Sequence, residues 1–308
     1  MSISISMSGL TVESHSLAEL SRHLKTTGLF LAIGPLVVHV RSAIPIVAEG
    51  IHRMYAQHAC WTQEGQFSDF HVHVYARRKA WRPVCVFEVD GLQPFTPLAY
   101  GEAYAFFEWG LNWCVSGYCH HWLSIHAAVL ERSGRAVILP APPGSGKSTL
   151  CAALMWHGWR LLSDEMALMD PVTGRLTAFP RPVSLKNASI DILRHRFPQA
   201  VLGPLAHDTL KGTVCHMRIS EDSHARANEP AEPGWIVFPK YVAGAALTLT
   251  PHTKPSGLLN LHRNSFNHHV HGRQGFETLA DVVDRCGVYD LSYSSLDEAM
   301  ACFDELAA

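Results

Sequence analysis

Apolar positions along the chain follow two periods. Runs rich in β-branched and aromatic residues at Leu29–Val38, Phe70–Tyr75 and Val84–Val89 predict strands, and Ile44–Tyr55 between the first two predicts a helix. Ser16-Leu-Ala-Glu19 is a capping box, so a short helix begins there. The N-terminal third therefore reads as α+β. Gly101–Tyr118 carries apolar residues around most of its circumference, which predicts a buried helix bridging two halves of the molecule. Trp109 and Trp113 within it read as core-packing residues rather than ligand-stacking ones.

After this helix the pattern becomes that of an α/β nucleotide-binding core. Strands are predicted at Leu123–Leu130 and Ala136–Leu139, then a glycine loop, a helix over Ser148–His157 and a strand over Trp159–Leu162. Pro171–Gly174 reads as a turn joining strands Met166–Met169 and Leu176–Phe179, which makes the sheet mixed rather than purely parallel. Ser220–Gly234 is polar, holds two prolines and lacks periodicity, so it reads as an exposed, mobile loop able to act as a lid. Strands Trp235–Phe238 and Ala245–Leu249 follow, and Ser295 caps a terminal helix. The expected organisation is a smaller α+β domain over residues 1–115 and an ATP-binding domain over residues 116–308.

Composition narrows the classes. With 308 residues and 47% hydrophobic content the chain can bury a sizeable core. No run approaches the roughly 20 apolar residues of a membrane-spanning helix. The opening segment lacks a basic start followed by an apolar run, which predicts a cytoplasmic protein. A net charge of −2, from 25 Lys+Arg against 27 Asp+Glu, offers no bulk basic field for nucleic acid or an anionic membrane. The eight cysteines form no C-x-x-C pair and read as reduced, mostly buried thiols. The 20 histidines cluster, but no cluster combines Cys or carboxylate ligands at a zinc-site spacing.

The chemistry concentrates in APPGSGKST, residues 141–149. Phosphate oxygens need convergent donors that add no bulk, and a glycine turn running into a helix N-terminus supplies them. Gly144, Ser145, Gly146, Lys147, Ser148 and Thr149 fit that role, with Lys147 for the β- and γ-phosphates of ATP and Ser148 for Mg²⁺. Ala141 stands where the first glycine of the usual motif belongs, and Pro142 and Pro143 have no N–H, so the donors begin at Gly144. Asp164 and Glu165 follow 17 and 18 residues after Lys147, at the end of the next strand. Of two such acids, one can hold Mg²⁺ while the other accepts a hydroxyl proton.

His126, the loop GSGKS and the pair Asp164–Glu165 resemble the HPr kinase/phosphorylase core. The strings EWGLNW, GWRLLSDE, RPVSLKN, KGTV, VFPKY and NSFN bring the chain closer still to the HPr-kinase-related kinase A family, over nearly its whole length. That resemblance implies a P-loop kinase core of the type shared with phosphoenolpyruvate carboxykinase, with ATP and Mg²⁺ as cofactors. It assigns Asp164 as the base and Glu165 as the metal-side acid, and puts His126 beside the transferred phosphate. No glycine- and arginine-rich stretch of the kind that marks the phosphorylase is found, so the implied activity is that of a kinase alone.

Among the isolated cations Arg181, Lys186, Lys211, Lys240 and Arg263, the first two are the leading candidates for neutralising γ-phosphate charge. The acceptor implied is a Ser or Thr hydroxyl of a protein or peptide. A small-molecule hydroxyl and a non-catalytic nucleotide-binding scaffold are the competing readings. Family resemblance leaves both a homo-oligomer and a monomer open.

Overall fold

The computed structural model describes residues 10–63, 65–79 and 82–308; the first nine residues, on which the leaderless reading partly rests, lie outside them. The chain forms a mixed α/β structure with mixed sheets, and no described helix is long and apolar enough to cross a membrane.

The N-terminal part is a seven-stranded sheet ordered Leu10–Thr11, Ala59–Trp61, Leu29–Ile33, Leu36–Ser42, Phe70–Lys79, Arg82–Val89 and Leu98–Ala99. The run Leu29–Val38 is a hairpin rather than one strand. Gly34, at φ 53°, and Pro35 turn the chain back on itself, a conformation that glycine adopts without strain. Helices Leu17–Lys25, Pro45–Met54 and Ala103–Tyr118 pack against this sheet, the first opening on the Ser16–Glu19 capping box. The bridging helix Ala103–Tyr118 is buried over most of its length, as its all-round apolar pattern requires.

In the C-terminal part the strand Leu123–Arg132 lies at the centre of a mixed sheet. Arg135–Pro140 pairs with it antiparallel, then runs parallel to Glu232–Tyr241, which is parallel to Gly287–Tyr293; Thr248–Pro251 closes that edge antiparallel. The central strand is buried on both faces. Leu123, Ile125, Ala127 and Val129 join one apolar cluster with Leu279, Val282 and Val283, whereas Ala128 and Leu130 join another with Leu150, Leu154 and Phe303. A third sheet, ordered Val183–Lys186, Gly212–Met217, Ala206–Thr209, flanks the second cluster. Met166, Leu168 and Phe179 belong to the N-terminal apolar cluster, so the two parts of the molecule share core across the expected boundary near residue 115.

Ser220–Gly234 is not the open loop that its composition predicts. Ser220 caps a short helix, Glu221–Ala225, and the buried Ser223 hydroxyl accepts the Leu161 N–H at 2.8 Å. Arg160, itself paired with Glu131, donates to the carbonyls of Arg226 and Glu229 at 2.8 and 2.7 Å. Partners distant in sequence thus satisfy the segment's polar groups, which composition alone cannot reveal. All eight cysteines are free and seven are buried.

Two buried histidines make stability depend on pH. Burial holds His58 and His216 each down at about 3, with His224 adding to the effect on His58 and Arg181 to that on His216. Both are therefore neutral in the fold, whereas in the unfolded chain they titrate near 6.5. Protons favour the unfolded state between these values, so this stability is complete above about pH 6.5 and is lost as pH falls towards 3. Each histidine should cost about 2 kcal/mol on going from pH 7 to pH 5. Urea unfolding at the two pH values checks this, and His58→Asn should flatten the profile.

Candidate functional site

The strand Arg135–Pro140 delivers the glycine loop to the N-terminus of the helix Lys147–Trp156. Gly144 and Gly146 both take φ 86°, the left-handed conformation that such a tight turn demands. At Gly146 a β-carbon would fall 2.6 Å from the Tyr293 hydroxyl and 2.9 Å from Tyr241 Cβ, whereas beside Gly144 there is open space. The Ser145 and Gly146 carbonyls accept from the Tyr241 N–H at 2.9 Å and the Tyr293 hydroxyl at 3.2 Å. With its carbonyls held on that side, the loop leaves the amides of Gly144, Gly146, Ser148 and Thr149 without an acceptor among the described hydrogen bonds.

Lys147 turns inward from the first helical position. Its ammonium donates to the Asp164 carbonyl and lies 3.6 Å from Asp164 Oδ1, with the side chain only 8% exposed. Burial alone would lower its pKa, but the carboxylates of Asp164 and Glu165 outweigh that and hold it above its ordinary value. This bond also explains the local backbone. Arg160–Ser163 and Met166–Met169 both pair with Leu123–Arg132, Ser163 facing Val129 and Met166 facing His126; the register shifts at Leu162, and pairing is interrupted again at Asp164–Glu165. There the Asp164 carbonyl is directed to Lys147 instead of the neighbouring strand.

The two acids sit in different surroundings. Asp164 is 4% exposed; its Oδ2 accepts the Ser184 N–H at 3.2 Å and its Oδ1 has no hydrogen-bond partner. Burial raises its pKa, Lys147 opposes and Glu165 adds, leaving a net rise. Glu165 faces the cavity, 3.2 Å from His126 Nε2, each side chain about a quarter exposed. Burial pushes this carboxyl up, but Lys147, His126 and Lys186 together hold it well below the usual carboxylate range.

Glu165, His126 and the loop share a cavity of about 580 Å³ whose far wall carries Ser184, Lys186, Asn187, Ser189 and Lys211. Lys186 and Lys211 have no carboxylate within salt-bridge distance among the described residues. The Lys211 ammonium stands 5.3 Å over the Trp109 ring. Its desolvation there, followed by the charge of Lys186, lowers its pKa, while Glu165 opposes. Asn187, between the two lysines in space, is held at φ 52°, a conformation that costs a non-glycine residue about 1–3 kcal/mol.

Arg181 is not brought to this cavity. It is buried against the bridging helix, donating to Glu108 Oε2 at 3.1 Å, to the Glu108 carbonyl at 3.0 Å and to Asn112. Glu108 also accepts the hydroxyls of Tyr55 and Tyr104, both at 2.8 Å. Lys240 and Arg263 are exposed and do not line the cavity. Ser184, Asn187 and Tyr241 lie in the strings RPVSLKN and VFPKY but take no role of their own from them, because only the pairing of Val183–Lys186 with Gly212–Met217 and the end of Glu232–Tyr241 bring them here.

Among the described residues no group of three or more His, Cys, Asp or Glu side chains could hold a metal ion by itself. The orphaned Asp164 Oδ1 beside the Ser148 hydroxyl, together with Glu165, is instead an all-oxygen donor set. Such a set suits a hard divalent cation completed by phosphate and water. Compared with models of protein families and with characterised proteins, the chain matches none.

Arg181→Ala leaves Glu108 as a buried carboxylate without its cation, and should destabilise the fold by about 3–5 kcal/mol. Urea unfolding measures the loss. Arg181→Met with Glu108→Gln should recover part of it, because the amide oxygen still accepts the Tyr55 and Tyr104 hydroxyls while the unpaired buried charge is removed.

Proposed function

We propose that the protein is an ATP-dependent phosphotransferase of the HPr kinase/phosphorylase type, similar to the HPr-kinase-related kinase A proteins, that transfers the γ-phosphate to a hydroxyl. On this reading its C-terminal part is a P-loop kinase core of the kind shared with phosphoenolpyruvate carboxykinase, acting as a kinase without phosphorylase activity. One observation carries the proposal: the glycine loop with unspent amides, a buried lysine and the Glu165 carboxylate share one cavity, the lysine being bonded to the Asp164 peptide, whose own carboxylate is buried behind it. A scaffold that only binds nucleotide has no need of a base beside the γ-phosphate.

The free amides of Gly144, Gly146, Ser148 and Thr149 and the Lys147 ammonium receive the β- and γ-phosphates. Ser148 and Asp164 are the residues that would hold Mg²⁺, which supplies charge neutralisation across the β- and γ-phosphate oxygens when bound. The acceptor hydroxyl oxygen forms a bond to the γ-phosphorus as the bond to the β–γ bridging oxygen breaks, and ADP departs with that electron pair. The hydroxyl proton passes to a carboxylate. Here the geometry favours Glu165, which faces the cavity and is oriented by His126, over Asp164, which is enclosed behind Lys147. This reverses the roles that the family resemblance implies for the pair. A low carboxylate pKa is tolerable because the transition state is loose and asks little of the base. The acceptor implied by the resemblance is a Ser or Thr of a protein or peptide.

Mg²⁺–ATP should raise the melting temperature of the wild-type protein by mass action, and Lys147→Ala should abolish most of that rise. Glu165→Gln should keep the rise yet lower transfer of labelled γ-phosphate by roughly 10²–10⁴-fold. Asp164→Asn should instead weaken the dependence of binding on Mg²⁺. No melting change with millimolar Mg²⁺–ATP would sink the kinase reading, and an active Glu165→Gln beside an inactive, ATP-competent Asp164→Asn would restore the roles implied by resemblance. Label transferred in a cell extract and resolved by size separates a macromolecular acceptor from a small one.

A further inference from the structure

The wall of the cavity that faces the glycine loop has more positive character than a neutral acceptor requires. Lys186 and Lys211 both line it, and neither has a carboxylate within salt-bridge distance among the described residues, although Glu165 lines the same cavity. Between them begins the nine-residue helix Ala188–Arg196. Its N-cap is an asparagine, a residue whose side chain ordinarily closes its own helix end. Here that side chain is spent elsewhere: Asn187 Oδ1 accepts the Thr213 N–H at 3.0 Å and Nδ2 donates to the Lys211 carbonyl at 3.2 Å. The helix is left without a side-chain cap, and Asn187, Ala188 and Ser189 line the cavity with its positive end.

An independent observation points to a ligand at the same place. Ser184 lines the cavity on the same face of its strand as Lys186, is only 6% exposed, and its buried hydroxyl has no hydrogen-bond partner. A buried hydroxyl without a partner is a donor awaiting an acceptor. Nucleotide phosphates already have the loop amides and Lys147, so these groups form a second set.

We propose that this wall is an oxyanion site that receives a phosphate or carboxylate group carried by the acceptor, placing the acceptor's hydroxyl between the site and the glycine loop. The proposal rests on the kinase reading for the identity of the acceptor, but the anion site itself does not. Asn187 is its positioning residue: by holding the hairpin tip it places Lys211 beside Lys186 and leaves the helix end open.

The test loads the protein with Mg²⁺ and a non-hydrolysable ATP analogue, so that the glycine loop is filled, and titrates it calorimetrically with inorganic phosphate and, separately, with acetate. One further site is expected. Lys211→Ala and Ser184→Ala should each weaken it by about 10- to 100-fold, the effect of losing a hydrogen bond to a charged group, and leave affinity for the analogue unchanged. Tighter phosphate binding marks a phosphorylated acceptor, and comparable acetate binding marks a carboxylate. If neither anion binds the loaded protein, or if both variants lose the analogue in parallel, the site is refuted. Should the protein bind no analogue at all, the kinase reading falls. The anion site is then judged on Lys147→Ala protein, where phosphate binding must still depend on Lys211.

Discussion

The candidate site is organised around the buried Lys147 ammonium and the peptide it holds. A lysine 8% exposed must be compensated for its lost hydration, and here compensation comes from the Asp164 carbonyl and the two adjacent carboxylates. The same bond draws Asp164–Glu165 out of the edge strand, sets one acid against Ser184 and directs the other to His126. Glycine loop, acids and histidine are therefore one electrostatic unit and not three motifs that happen to be near one another.

The second organising contact joins the N-terminal part to this unit. Arg181 ties the start of the strand bearing Ser184 and Lys186 to Glu108, and Trp109, one residue further along the same helix, supports Lys211. The wall opposite the glycine loop is thus positioned from the bridging helix, whereas the loop itself is fixed by Tyr241 and Tyr293 at strand ends in the C-terminal sheet.

Features that depend on local chemistry were legible in the sequence. The capping boxes, the glycine loop and its helix, the acidic pair and the Pro171–Gly174 turn all rest on residues within a few positions of one another. Features that depend on distant partners were not. Gly34 could be read as tolerated within a strand until the pairing of Leu29–Ile33 with Leu36–Ser42 made it a turn. Arg181 carried the signal of an isolated cation because Glu108 lies 73 residues away in sequence. Ser220–Gly234 has the composition of a free loop, yet Arg160 and Leu161 from another strand hold it. Ser184 and Asn187 lie in the string RPVSLKN, which marks a family resemblance but no individual roles, since their importance arises from which atoms lack, or have already spent, a partner.

The strand Leu123–Arg132 has one further consequence, for how the chain reaches this state. Its alternate side chains feed two separate apolar clusters, so a slip of one residue against Arg135–Pro140 would exchange the contents of both. The same slip would turn His126 to the opposite face of the sheet, away from Glu165. Arg135–Pro140 pairs with Glu232–Tyr241 about a hundred residues on, and that strand with Gly287–Tyr293 about fifty further on, and such contacts form late because long loops must close first. A misregistered, partly collapsed chain would therefore lack the His126–Glu165 contact, making assembly of that pair a report on folding fidelity as much as on chemistry.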